Sequence, residues 1–119
     1  MDPAAWEKIP VETIAPGVER QVIWGEHATT SRFRLAKDVH IAKHDHPSEQ
    51  FTFMLQGAMR MQLGGKEHLL RAGDTIRIPS GMAHEVWVVE DAVVLDFFSP
   101  PRHDWKEGKH QYLAGQSSK

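Results

Sequence analysis

The residues able to do chemistry fall into two groups. In the first, His44-Asp45-His46 sets two imidazoles two positions apart. On a β-strand, residues i and i+2 share a face, so both rings could reach one metal ion. Taken alone, such a pair is more often a surface feature or a satisfied polar pair. Its surroundings are more specific. Pro47 breaks the strand directly after His46, and Gln50 opens an apolar run, Gln50-Phe51-Thr52-Phe53-Met54-Leu55-Gln56, that ends at Gly57. Further along, Gly73 is followed after five residues by Pro79-Ser80-Gly81, and after two more residues by His84 at the head of another strand.

The second group is Asp96, Phe98 and Arg102. Asp96 interrupts the apolar run Val93-Val94-Leu95-Asp96-Phe97-Phe98. A carboxylate there is costly to bury unless it is paired or functional. Asp96 and Phe98 share a strand face, and Pro100-Pro101 ends the strand and turns the chain so that Arg102 can swing over the end of the fold. The group offers a carboxylate for proton transfer, an aromatic wall and a guanidinium to grip a substrate carboxylate. A structural ion pair between Asp96 and Arg102 is the competing reading.

These residues must be carried by strands. Short runs rich in Val, Ile, Phe and Thr, punctuated by Gly, Pro and Asp, predict strands at 11–14, 19–25, 31–37, 39–45, 49–56, 58–63, 66–71, 74–78, 84–90 and 92–98. No stretch in that region carries an apolar pattern that predicts a helix. Gly64-Gly65 joins two of the strands as a hairpin. About ten short strands in roughly 100 residues imply a closed sandwich or barrel. Strand 92–98 is apolar on both faces, so one should line the barrel and the other should be covered by a second sheet, the tail or another subunit. A homodimer is the expectation.

Composition narrows the function classes. The chain has 119 residues, 40% hydrophobic and 25% charged, which suits one domain over 1–119 with its barrel at about 11–98 and a tail at 99–119. Its formal charge is −2, so it has no basic field to hold nucleic acid or an anionic membrane. No apolar run approaches the ~20 residues of a membrane helix. Eight histidines and no cysteine exclude disulfides, thiol catalysis and thiolate metal sites. The N-terminus does not read as a signal peptide, and a cytoplasmic protein is expected. The tail should pack back on the barrel or a partner through Trp105 and Tyr112-Leu113, with Ser117-Ser118-Lys119 frayed. Met82, just before His84, is the methionine placed to touch a ligand, while Met54, Met59 and Met61 read as core or pocket filler. His40 is in phase with His44 but further down its strand. It reads as solvated, as do His27, His68, His103 and His110.

The two histidine blocks resemble the two motifs of the cupin superfamily. His44, His46 and Gly57 match the first motif, with Gln50 at its acid position. Gly73, Pro79, Gly81 and His84 match the second, with Val88 where an Asn is frequent. The resemblance covers roughly residues 30–98. It implies an all-β jelly-roll barrel holding one divalent metal (Zn, Ni, Fe, Mn or Cu) through His44, His46, Gln50 and His84. A Gln carbonyl is a neutral and weaker ligand than Glu, so the metal would keep its full charge and act as a Lewis acid. The alternative for Gln50 is an amide that orients a ligating His without touching the metal. Glu49 should point to the opposite face.

A narrower resemblance is to the pectin-degradation cupins, which linearise 4,5-unsaturated monouronates. It rests on His44-Asp45-His46-Pro47-Ser48-Glu49-Gln50 and on Val94-Leu95-Asp96-Phe97-Phe98-Ser99-Pro100-Pro101-Arg102, and it departs at Ser48, where that family typically has a His. It implies Asp96 and Arg102 as catalytic residues, with Phe98 against the substrate. Three functions follow: a metal-dependent enzyme opening the ring of an unsaturated uronate or related carboxylated sugar, a metal-dependent dioxygenase, or a non-catalytic cupin that binds a small molecule.

Overall fold

The computed structural model describes residues 2–108. The chain runs through a 3-10 turn at Trp6–Lys8 and the strands β1 (Glu12–Ala15), β2 (Val18–Trp24), β3 (Thr29–Leu35), β4 (His40–His44), β5 (Glu49–Leu63), β6 (Lys66–Arg71), β7 (Thr75–Ile78) and β8 (His84–Ser99). A four-residue helix, α1 (His103–Lys106), follows. The expected jelly-roll barrel is what forms, with every ladder antiparallel.

Two pairs of expected strands turn out to be single long ones. The runs at 49–56 and 58–63 are the two ends of β5, and those at 84–90 and 92–98 are the two ends of β8. Glycine and turn-like residues read as breaks in the sequence act here as bends. The β5–β8 ladder shifts register between Met54 and Met59, and Gly57 sits within that stretch at φ +78°. A Cβ on Gly57 would lie 2.1 Å from the Asp91 carbonyl oxygen, so only glycine lets the two bent strands approach so closely.

The bends let β5 and β8 serve both halves of the barrel. The second half of β8 pairs with β3 and the first half with β4. The first half of β5 pairs with β7 and the second half with β6. Inward positions on β8 alternate as His84, Val86, Val88 and then Val94, Asp96, Phe98, all buried. They meet Met54, Met59 and Met61 of β5 and Phe33 and Leu35 of β3 in one core. The three methionines are buried filler, as their type suggested.

On the outer face, Phe53 (39% exposed), Leu55 (47%) and Phe97 (41%) form an apolar stripe, with the Phe51 and Phe97 rings tilted against each other, their centroids 6.4 Å apart. The N-terminal segment covers part of the neighbouring β2 surface, where Gln21 donates to the carbonyl oxygens of Trp6 and Ile9. No helix among the described residues is long and apolar enough to cross a membrane.

Of the tail anchors, Trp105 is buried inside the barrel, against Phe33 and Phe98. Tyr112, Leu113, His110 and the Ser117-Ser118-Lys119 end lie outside the described residues.

Candidate metal centre

The two histidine motifs are fastened together at one end of the barrel. His44 closes β4 directly opposite His84, the first residue of β8. His46 lies in the turn that follows. The Pro79-Ser80-Gly81 turn is tied to it twice: the Gly81 N–H donates to the His46 carbonyl at 2.9 Å, and Ser80 Oγ donates to the Pro47 carbonyl at 2.6 Å. Residues distant in sequence are thereby brought to one point. Ring nitrogens of His44, His46 and His84 all lie within 4.8 Å of one another.

The hydrogen bonds around the rings set which nitrogen faces inward. Nδ1 of His44, His46 and His84 lies 2.8, 2.8 and 3.0 Å from the backbone carbonyls of Ala42, Ser48 and Met82. Each Nδ1 therefore carries its proton, and each Nε2 is left with a lone pair. Burial, reinforced for His44 by its neighbour His84, lowers that ring's pKa from 6.5 to about 3. Burial also lowers His84 to about 4 and lowers His46, where the Arg102 charge adds to it. The rings are neutral at neutral pH, as metal ligands must be.

Gln50 is buried beside them. Its amide nitrogen donates to Thr52 Oγ1 at 2.9 Å and toward Asp96 Oδ1 at 3.3 Å, which fixes the amide the other way round for its oxygen. Gln50 Oε1 consequently lies 2.9 Å from His46 Nε2. Two atoms presenting lone pairs at that distance repel unless a proton or a cation lies between them, and burial disfavours the proton. Three imidazole nitrogens and one amide oxygen, all lone-pair donors and all converging, fit a divalent transition metal. Glu49 points to the outer face, where it pairs with Arg77 at 3.0 Å.

The second group is also brought to the cavity. His44, Gln50, His84, Asp96, Phe98 and Arg102 line the same space inside the barrel. Asp96 is buried, and burial raises its pKa from 3.8 to about 6 against the opposing pull of Thr52, Gln50 and Arg102. Thr52 Oγ1 donates to it at 2.7 Å. Arg102 stands over the Phe98 ring, 4.8 Å from its centroid. The carboxylate gripped by Arg102 is that of Asp104, through Nε at 2.9 Å and Nη2 at 2.7 Å. That differs from the Asp96–Arg102 ion pair weighed from the sequence. Asp104 is only two residues away, within easy reach of the fork. Met82 stands apart from the cavity wall, 37% exposed, with its sulfur against Gly64.

Several participants are not legible as such in the sequence. Thr52 orients both Gln50 and Asp96; the i, i+2 phase from Gln50 is the signal that would have found it. Ser48, where the sequence departs from the pectin-degradation pattern, donates to the Pro100 carbonyl at 2.6 Å and so ties the turn after His46 to the end of β8. His40 does not share the inward face of His44, because the β4–β8 register shifts between Ile41 and His44. It lies outside, stacked on Trp87 at 5.3 Å and paired with Glu85.

Comparison with known proteins agrees with this architecture. Residues 31–98 match the Cupin_2 cupin domain family. No curated protein matches the sequence. Among solved structures, KdgF from Halomonas sp. superposes with a TM-score of 0.78 at 24% identity, over 83% of this chain and 93% of that one. An RmlC-like cupin from Shewanella frigidimarina gives 0.81 at 23% identity, over 86% and 93%. Oxalate decarboxylase from Bacillus subtilis, described with Mn(II) centres, gives 0.71 at 18% identity, over 82% of this chain but 29% of that one. At these identities the likeness is one of fold.

Proposed function

This chain belongs to the cupin domain family, and on that premise we propose that it is a metal-dependent enzyme that opens the ring of an unsaturated uronate or a related carboxylated sugar. The observation that carries the reading is the company kept by Asp96. A buried carboxyl with its pKa near 6 shares one cavity with a buried guanidinium and a lone-pair cluster suited to a metal. The resemblance of both site segments to the pectin-degradation cupins supports the same choice of substrate.

His44, His46, Gln50 and His84 would hold the metal, which when bound supplies Lewis-acid polarisation of substrate oxygens without redox change. Arg102 grips the substrate carboxylate with its fork, and Phe98 supplies the apolar wall beneath it. Asp96, close to half protonated near pH 6, moves the proton as the ring-opened enol passes to its keto form. Thr52 and Gln50 hold Asp96 in place for that transfer. Met82, at the rim before His84, is a substrate contact only for a ligand that extends out of the cavity. The reading includes a cytoplasmic homodimer, formed through the exposed Phe53, Leu55 and Phe97 stripe.

The test is ultraviolet absorbance of the conjugated enol acid. Metal-loaded protein should remove it faster than the uncatalysed rate, and Asp96→Asn should slow that removal at least about tenfold while keeping its metal. No acceleration over the blank refutes the reading. Oxygen uptake dependent on Fe(II) would replace it with a dioxygenase, and a ligand-dependent thermal shift without turnover would replace it with a binding protein.

A further inference from the structure

The helix α1 fills the end of the barrel beside the histidine cluster. It turns Trp105 inward until the indole is 5% exposed, edge-on to Phe33 at 5.8 Å and to Phe98 at 5.1 Å. The guanidinium carbons of Arg20 and Arg102 stand over that ring, 4.5 and 4.3 Å from its centroid. With the indole in place, the cavity beside the histidines has a volume of about 50 Å³. That holds a few water molecules and is too small for a sugar ring. A ligand of the proposed class therefore needs the indole to move.

The same helix carries a group that helps hold it down. Asp104 places both carboxylate oxygens on the fork of Arg102, at 2.9 and 2.7 Å. Arg102 is 2% exposed and Asp104 34%. Burial would raise the Asp104 pKa, but the bonds and charge of Arg102 outweigh it and hold the group below its ordinary value, so the carboxylate stays ionised. A planar two-oxygen anion seated on Arg102 is the contact that a ligand carboxylate would make.

We propose that Asp104 is a specificity-determining latch: it stands in for the ligand's carboxylate on Arg102, and an incoming carboxylate that takes the fork frees α1, withdraws Trp105 and opens the cavity. The proposal rests on the carboxylate-gripping role given to Arg102 above. A neutral ligand of the same size cannot compete for the fork, so the plug itself selects for acids. Withdrawal of the indole also uncovers Arg20, whose Nη1 is buried without a hydrogen-bond partner.

The test follows amide exchange in Zn-loaded full chain. The amides of Trp105, Glu107 and Gly108 bond back to the carbonyls of residues 102–105 and so report on the helix. Galacturonate should speed exchange at these amides, and galactose should not. Asp104→Asn and Asp104→Ala should speed it about tenfold without ligand, leaving the strands unchanged. Both variants should also bind galacturonate about tenfold more tightly, the scale of one charge-assisted hydrogen bond. The latch is overturned if the variants exchange as the wild type does, if they bind galacturonate no more tightly or not at all, or if wild-type binding leaves exchange unchanged. Failure to turn over the enol acid with these responses intact counts against the ring-opening function alone.

Discussion

Acidifying the metal-free protein from pH 7 to pH 5 should cost it at least about 2 kcal/mol of folding stability; His44, His84 and Asp96 account for that figure, and the lowered His46 adds to it in the same direction. In the folded chain His44 and His84 titrate near 3 and 4, against 6.5 when exposed. Between those values the unfolded chain takes up protons that the folded chain refuses. The stability they contribute is complete above pH 6.5 and is lost as the pH falls toward 4 and then 3. At pH 5 each ring has cost about 2 kcal/mol. Asp96 works in the other direction. Its folded value is near 6 against 3.8 unfolded, so its contribution is complete below 3.8 and is lost as the pH rises through 6. Acidification to pH 5 therefore returns about 1 kcal/mol through Asp96. Urea unfolding of chelator-treated protein at the two pH values measures the difference, expected as a fall in midpoint of about 1–2 M. Asp96→Asn should deepen the loss by about 1 kcal/mol, and His84→Gln should reduce it by about 2 kcal/mol. A midpoint that is flat or rises on acidification would refute the account of neutral, desolvated rings.

Three further outcomes are expected. His84→Ala should abolish stoichiometric metal binding measured by metal analysis after dialysis; full retained metal would count against a site built on His44, His46, Gln50 and His84. Gly57→Ala combines a φ of +78° with a Cβ 2.1 Å from the Asp91 oxygen, and should lower the thermal midpoint by about 10 °C or more. An unchanged midpoint would show that the bends of β5 and β8 are not so tightly constrained. Phe97→Glu should leave a monomer in sedimentation if the outer stripe joins two copies, and an unaltered mass would remove that face from the interface.

The sequence by itself determined the barrel and its histidine cluster. Strand periodicity is local and short-range, so alternation put Asp96 and Phe98 on one face and Gln50 opposite to Glu49, and motif spacing was enough to pair the His44–His46 turn with His84. What it could not determine was where strands bend and which of several possible partners each polar group takes. Gly57 read as a strand end because a glycine before a new apolar run ends most strands; across from the Asp91–Ala92 backbone it is the residue that lets one strand continue. His40 lost its phase with His44 to a register shift that exists only against β8. The orientation of the Gln50 amide is fixed by Thr52 and Asp96, and the latter comes from 46 residues further along the chain. Arg102 chose Asp104, and Trp105 entered the barrel, because the helix after Pro101 delivers both to the same opening. Each of these outcomes depends on how closely two distant pieces of backbone approach, and only the tertiary structure sets those distances.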